Sequence, residues 1–138
     1  MRVLLDTNVL VSAFATRGLC ADVLRHVLAE HELVVAEVVT AELRRVLKTR
    51  IRLPDAVIAE IDQFLRDQEV IPKPQKPSPA KVRDADDRWI LASAVAGHAD
   101  VLVTGDRDLL DVAEELPLPV VDPRGFWTLV RTTDASQD

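Results

Sequence analysis

The sequence predicts an α/β fold: a central parallel sheet of four to five short strands with helices on both faces. Three observations point there. Short apolar runs alternate with amphipathic helical stretches. The runs are largely apolar throughout rather than alternating, as strands covered on both faces should be. The chain has 138 residues, which suits one domain with a single sizeable core.

Val3-Leu4-Leu5 reads as a buried strand ending at Asp6, and residues 9–14 as a short helix after it. Thr16-Arg17-Gly18 is a loop. Within 21–30, Val23, Leu24, Val27 and Leu28 recur at helical spacing. Leu33-Val34-Val35 is a second strand. Val39, Leu43, Val46 and Leu47 form the stripe of a helix over 37–48. Pro54 fits the first turn of a fourth helix, whose face is Val57, Ile58, Ile61, Phe64 and Leu65. Glu69-Val70-Ile71 is a third strand. The proline-rich stretch 72–79 can be neither helix nor central strand and reads as a surface loop. A helix over 85–96 and strand Val101-Leu102-Val103 follow. Leu109 and Leu110 mark a short helix, Val120-Val121 a last strand, and Phe126, Trp127 and Val130 a closing helical turn. The domain is therefore expected over 1–130, with 131–138 as a polar, frayed tail.

Composition excludes several classes. The longest apolar runs are a few residues, far short of the roughly 18–20 that span a bilayer, so no membrane association is expected. Asp6 interrupts the N-terminal apolar run too early for a signal-peptide core. One cysteine, Cys20, leaves no internal disulfide, and a reducing cytoplasm is the default compartment. Net charge is −6, which argues against a bulk electrostatic grip on nucleic acid. Acids gathered on a divalent ion would remove most of that excess, so their placement decides the matter.

Four acids fall at unusual positions. Glu42 lies three residues after Val39 and four before Val46, inside an apolar stripe. A carboxylate there is costly unless it is at the rim, paired with an arginine, protonated or bound to metal. Asp87 precedes Ile90 and Leu91 by three and four, yet it could equally serve the positive end of its helix, with Asp84 as cap and Asp86 beside it. Asp6 and Asp106 each follow an apolar strand, where a lone Asp commonly caps or turns the chain. Four such acids at one end of one sheet would repel, and a cation would make the arrangement sensible. An all-oxygen ligand set selects Mg²⁺ or Mn²⁺ over zinc. Cys20, His26, His31 and His98 have no zinc-ligand spacing. Asn8 and Thr104 stand beside Asp6 and Asp106, either to orient a carboxylate or to turn the chain.

Asp6-Thr7-Asn8 after the first strand, Glu42 in the third helix, Asp87-Arg88-Trp89-Ile90 opening a helix, and Val103-Thr104-Gly105-Asp106 after a strand resemble the PIN-domain nuclease pattern. The order and spacing fit from residue 1 to about 130. The resemblance is strongest to standalone prokaryotic PIN proteins described as toxins of toxin–antitoxin systems. It implies a metal-dependent endoribonuclease using Mg²⁺ or Mn²⁺. It makes Asp6, Glu42, Asp87 and Asp106 the catalytic metal-site acids, with Asn8 and Thr104 as polar supports. Asp108 becomes a helix cap or a further ligand. It also implies an RNA substrate, a small antitoxin partner and homodimers. Leu116 and Phe126 are candidates for a surface that a partner covers.

Arg44, Arg45, Lys48, Arg50 and Arg52 give five cations and no acid over 44–52, directly after Glu42. They are either RNA phosphate contacts or a solvated helix end suited to the helix dipole. Trp89 and Trp127 sit in apolar contexts and are assigned to packing rather than base stacking. The alternative function is a PIN module that binds RNA or a protein without cutting. A phosphoacceptor receiver would need adjacent acids at the first strand and a lysine after the last; Asp6 stands alone and Asp122-Pro123-Arg124 follows Val121. An Asp-x-Asp phosphatase fails because Asn8 holds the second position.

Overall fold

In the computed structural model, which describes residues 1–137 (with side chains to 132), five strands form one parallel sheet. They are β1 (Arg2–Leu5), β2 (Glu32–Ala36), β3 (Glu69–Ile71), β4 (Val101–Val103) and β5 (Val120–Val121), in the spatial order β3-β2-β1-β4-β5. Val3 pairs with both Leu33 and Val101, which sets β1 at the centre. Val3, Leu4 and Leu5 are at most 1% exposed although successive side chains point to opposite faces, so both faces are covered. That coverage is why these runs lack alternation.

The helices are α1 (Thr7–Ala15), α2 (Leu19–Glu30), α3 (Glu37–Thr49), α4 (Asp55–Arg66), α5 (Ala85–Ala96), α6 (Arg107–Leu110) and α7 (Pro123–Gln137). α1 packs on α2 and α3, α3 also on α4 and α5, and α2 on α7. The α3 stripe is buried as expected: Val39, Leu43, Val46 and Leu47 are all in the core. The α4 face holds at Ile58, Ile61 and Leu65, whereas Val57 is 38% exposed. α1 begins at Thr7, earlier than its apolar pattern suggests, because Asp6 caps it directly. α2 starts after Gly18, whose φ of +149° is a conformation that side-chain-bearing residues rarely adopt.

The chain's end differs from expectation. α7 is a full helix whose backbone stays helical to Gln137, where a closing turn and a frayed tail over 131–138 were expected. Phe126 and Val130 bury one side of it, and the Thr132 hydroxyl bonds the Thr128 carbonyl at 2.9 Å. Asp138 lies outside the described residues. Phe126 is fully buried, so it is core and not a partner-facing residue; Leu116 is half-buried against the core.

The proline-rich stretch is a loop joining β3 to α5. Its end is fastened to that helix twice: the Ser78 amide donates to the Arg88 carbonyl at 2.9 Å, and Arg88 Nε donates to the Ser78 carbonyl at 2.7 Å. Among the described residues no helix is long and apolar enough to cross a membrane.

The chain runs from β1 outward to β2 and β3, then returns to the other side of β1 to lay down β4 and β5. The strand order therefore reverses between β1 and β4. In parallel sheets the carboxyl ends at such a reversal form a crevice that takes ligands. Asp6 leaves β1 there, and Asp106 lies just beyond β4.

Candidate metal and active site

Asp6 is 3% exposed and closes the amino end of α1. Its Oδ1 accepts from the Thr7 amide and its Oδ2 from the Thr104 hydroxyl, both at 2.7 Å. Thr104 in turn accepts at Oγ1 from the Asp106 amide at 3.0 Å. One hydroxyl thus ties the acid after β1 to the acid after β4. Asn8 braces the same point: its Oδ1 accepts from the Gly105 amide at 2.8 Å, and its Nδ2 lies 3.4 Å from Asp6 Oδ2. Asp106 caps α6 by accepting from the Asp108 amide at 2.9 Å.

Glu42 projects from α3, half-buried, and its Oε2 accepts from the Thr7 hydroxyl at 3.2 Å. Its partner is thus a hydroxyl, and its apolar-stripe position is explained by facing the cleft. Asp87 sits in the first turn of α5 at 5% exposure. Its Oδ2 is buried and has no hydrogen-bond partner among the described residues. Asp84 caps α5 by accepting from the Asp86 amide at 2.9 Å.

These groups line one cleft of about 320 Å³, with Asp6, Glu42, Asp84, Asp86, Asp87 and Asp106 as its acids. Burial raises the Asp6 carboxyl above the usual range; the Thr104 and Thr7 hydrogen bonds oppose that, and the charges of Glu42 and Asp106 add to it. Asp87 is pushed up to about 8, first by burial, then by the charge of Asp106 and a carboxyl–carboxyl hydrogen bond with it, with Asp6 and Asp84 adding. A buried carboxyl in this setting can be relieved by holding a proton shared with Asp106 or by taking a cation. Asp87 and Asp106 approach each other closely, yet among the described residues no three His, Cys, Asp or Glu side chains already stand as a ligand set.

Asp108 does not line the cleft; its amide serves the Asp106 cap. The basic stretch is divided. Arg50 lines the acid cleft. Arg45 lines an adjoining concavity of about 400 Å³ that shares Glu42, Asp86 and Ile90 as a wall. Arg44 turns to Asp62 of α4 at 3.6 Å, and Lys48 and Arg52 line neither concavity.

Sequence reasoning passed over Thr7, Lys73 and the face of Trp89. Thr7 carried a signal, since a hydroxyl beside a strand-end acid can serve a second carboxylate. Trp127 packs against the core as expected, but Trp89 lines the adjoining concavity, with Lys73 Nζ 4.6 Å above its ring. Such a contact is worth about 0.5–1 kcal/mol at an exposed site. A larger concavity of about 560 Å³ lies between the proline-rich loop and α5, but it is lined mainly by apolar residues such as Pro77, Ala92 and Val95. Charge, not size, marks the site.

The chain belongs to the PIN domain family, whose model matches residues 2–108. Its fold is similar to that of solved structures. A chain in the crystal structure of VapBC2 from Rickettsia felis, bound to a DNA fragment from their promoter, gives a TM-score of 0.64 at 20% identity, covering 88% of this chain and 98% of that one. A toxin–antitoxin complex from Klebsiella pneumoniae gives 0.62 at 20% identity, and FitAcB from Neisseria gonorrhoeae gives 0.59 at 20%; each match covers 88% of this chain and 97% of the other. No curated protein matches the sequence.

Proposed function

We propose that this chain is a metal-dependent endoribonuclease and the toxin of a toxin–antitoxin pair. The observation that carries the catalytic reading is the buried Oδ2 of Asp87, without a donor partner among the described residues, in a cleft walled by Asp6, Glu42 and Asp106. PIN domains are generally nucleases, and all four acids are present. The donor set fits a hard divalent cation, since it offers only carboxylate oxygens and supporting hydroxyls. Asp6, Asp87 and Asp106 would hold it, with Glu42 as a further ligand or an acceptor for water. Bound there, Mg²⁺ or Mn²⁺ supplies charge for the scissile phosphate and lowers the pKa of attacking water.

The chain's own residues do the positioning. Thr104 and the Thr7 amide fix Asp6 so that its two oxygens keep defined directions. The Thr7 hydroxyl holds Glu42, joining α1 to α3. Arg50 puts a cation on the same cleft, suited to a phosphate beside the scissile one. The antitoxin follows from the likeness to the toxin–antitoxin complex from Klebsiella pneumoniae. Its role here would be to cover an active site that the fold leaves open, and the cytoplasm, where RNA is reached, is the expected compartment.

The decisive experiment titrates purified protein with Mg²⁺ and Mn²⁺ on single-stranded RNA, beside Asp6→Asn prepared identically. Product from the parent and none from the variant supports the reading. Equal cleavage by both would falsify it, and RNA binding without product would make this a binding module instead.

A further inference from the structure

We propose that the concavity beside the acid cleft is a subsite for one nucleotide flanking the cleaved bond of single-stranded RNA, with Trp89 as stacking surface and Arg45 and Lys73 for the adjoining phosphate. It rests on the nuclease reading. The two spaces are continuous through Glu42, Asp86 and Ile90, so a strand crossing the acids would enter this one next. Its volume, about 400 Å³, accommodates a base and its sugar.

Trp89 is the unusual member. Its neighbours on α5, Ile90 and Leu91, are 5% and 0% exposed and belong to the core, whereas Trp89 is half-buried and lines this space. Its ring is covered by the Lys73 ammonium, 4.6 Å from the centroid. A π-face that holds a cation can hold a base instead, and every base has a stacking face. The exchange releases the ammonium toward the phosphate of the same nucleotide. Among the described residues neither Lys73 nor Arg45 is in an ion pair, in contrast to Arg44, so both are available to a ligand. Val38 and Ala41 give an apolar lining. Glu37 adds acceptors on the wall, which suit the exocyclic amino groups of a base better than a second phosphate. Single-stranded RNA is favoured because its bases can be splayed onto an aromatic plate.

The test uses Trp127→Phe protein, in which Trp89 is the sole tryptophan. A single-stranded oligoribonucleotide of about eight nucleotides is added in Ca²⁺ to read binding, and in Mn²⁺ to read cleavage. Saturable quenching of Trp89 fluorescence is expected. Lys73→Glu and Arg45→Glu should each raise Kd and KM about tenfold with little change in kcat. By anisotropy of labelled RNA, Trp89→Leu should weaken binding about tenfold and Trp89→Phe should restore most of it. Absence of quenching, or unchanged KM in Lys73→Glu, Arg45→Glu and Trp89→Leu beside normal cleavage, overturns the subsite and leaves the nuclease standing. Quenching and variant effects on Kd, with no product in Mg²⁺ or Mn²⁺, leave the subsite and remove the nuclease.

Discussion

The two ends of the sheet handle acids in opposite ways. At the amino end, Arg2 gathers them: its guanidinium donates to Glu32 at 2.9 Å and to both oxygens of Glu69 at 2.6 and 2.9 Å, and its amide donates to Asp100 at 2.7 Å. The Arg2–Glu69 hydrogen bonds hold the Glu69 carboxyl below the usual range. At the carboxyl end, Asp6 and Asp87 are raised instead, and Asp87 Oδ2 has no donor partner among the described residues. One end neutralises its charge with a residue of the chain. The other carries Arg50 on its cleft, yet among the described residues no cation is ion-paired with Asp6, Glu42, Asp87 or Asp106. Both ends have the same sheet beneath them, and the difference comes from the side chains that end the strands and from those, Glu42 and Asp87, that the helices bring over them.

The sharpest way to break this contrast is at the acids. Asp87→Asn and Asp6→Asn are each expected to lower Mn²⁺-supported RNA cleavage by about 100-fold or more while circular dichroism is unchanged. Asp87→Asn should at the same time raise the metal-free melting temperature at pH 8, because it removes a buried carboxyl that ionises at a cost. About 3–5 °C accompanies each kcal/mol in a chain of this size. A variant that loses both activity and stability would mean that Asp87 is a structural group.

A smaller effect is expected one step back. Thr104→Val removes the hydroxyl that serves Asp6 and the Asp106 amide together, and should weaken metal affinity or activity about 10- to 100-fold. Calorimetric titration with Mn²⁺ measures it directly.

The pH dependence of stability separates the ends further. In the folded metal-free chain Asp87 holds its proton up to about 8, against 3.8 for an ordinary Asp. Between those values the folded state binds more protons than the unfolded one, so stability should fall as pH rises through that window and level off above it. Mn²⁺ should raise the melting temperature more at pH 8 than at pH 5, and Asp87→Asn should flatten both trends. The least effect belongs to Arg2→Met. Its acids are substantially exposed, so the loss should be modest, reduced by salt, and without consequence for metal binding in the same thermal assay.

Much of this was legible in the residues. The strands were readable because both-face burial leaves largely apolar runs, and Glu42 because a carboxylate interrupts the stripe of Val39, Leu43 and Val46. Asp6 and Asp106 were visible as strand-end acids, and their connection through one threonine required the β1–β4 pairing. Trp89 reads as packing because Ile90 and Leu91 after it are core residues, whereas it lies half-buried on a concavity, about a quarter turn of helix from Ile90. The division of the cations was equally hidden, since Arg44 and Arg45 are adjacent in sequence yet one answers Asp62 while the other faces the concavity. The length of α7 was underestimated because its last turns are polar.

The double fastening of Ser78 to Arg88 bears on how such a chain can change. The far end of the proline-rich segment is pinned beside the helix that carries Asp87, while Lys73 rides on its free portion. Insertions or deletions over 74–77 would therefore reshape the approach to Trp89 and spare the carboxylates. On the proposed reading, target preference would drift by editing one stretch of surface chain, with the acid cleft left intact.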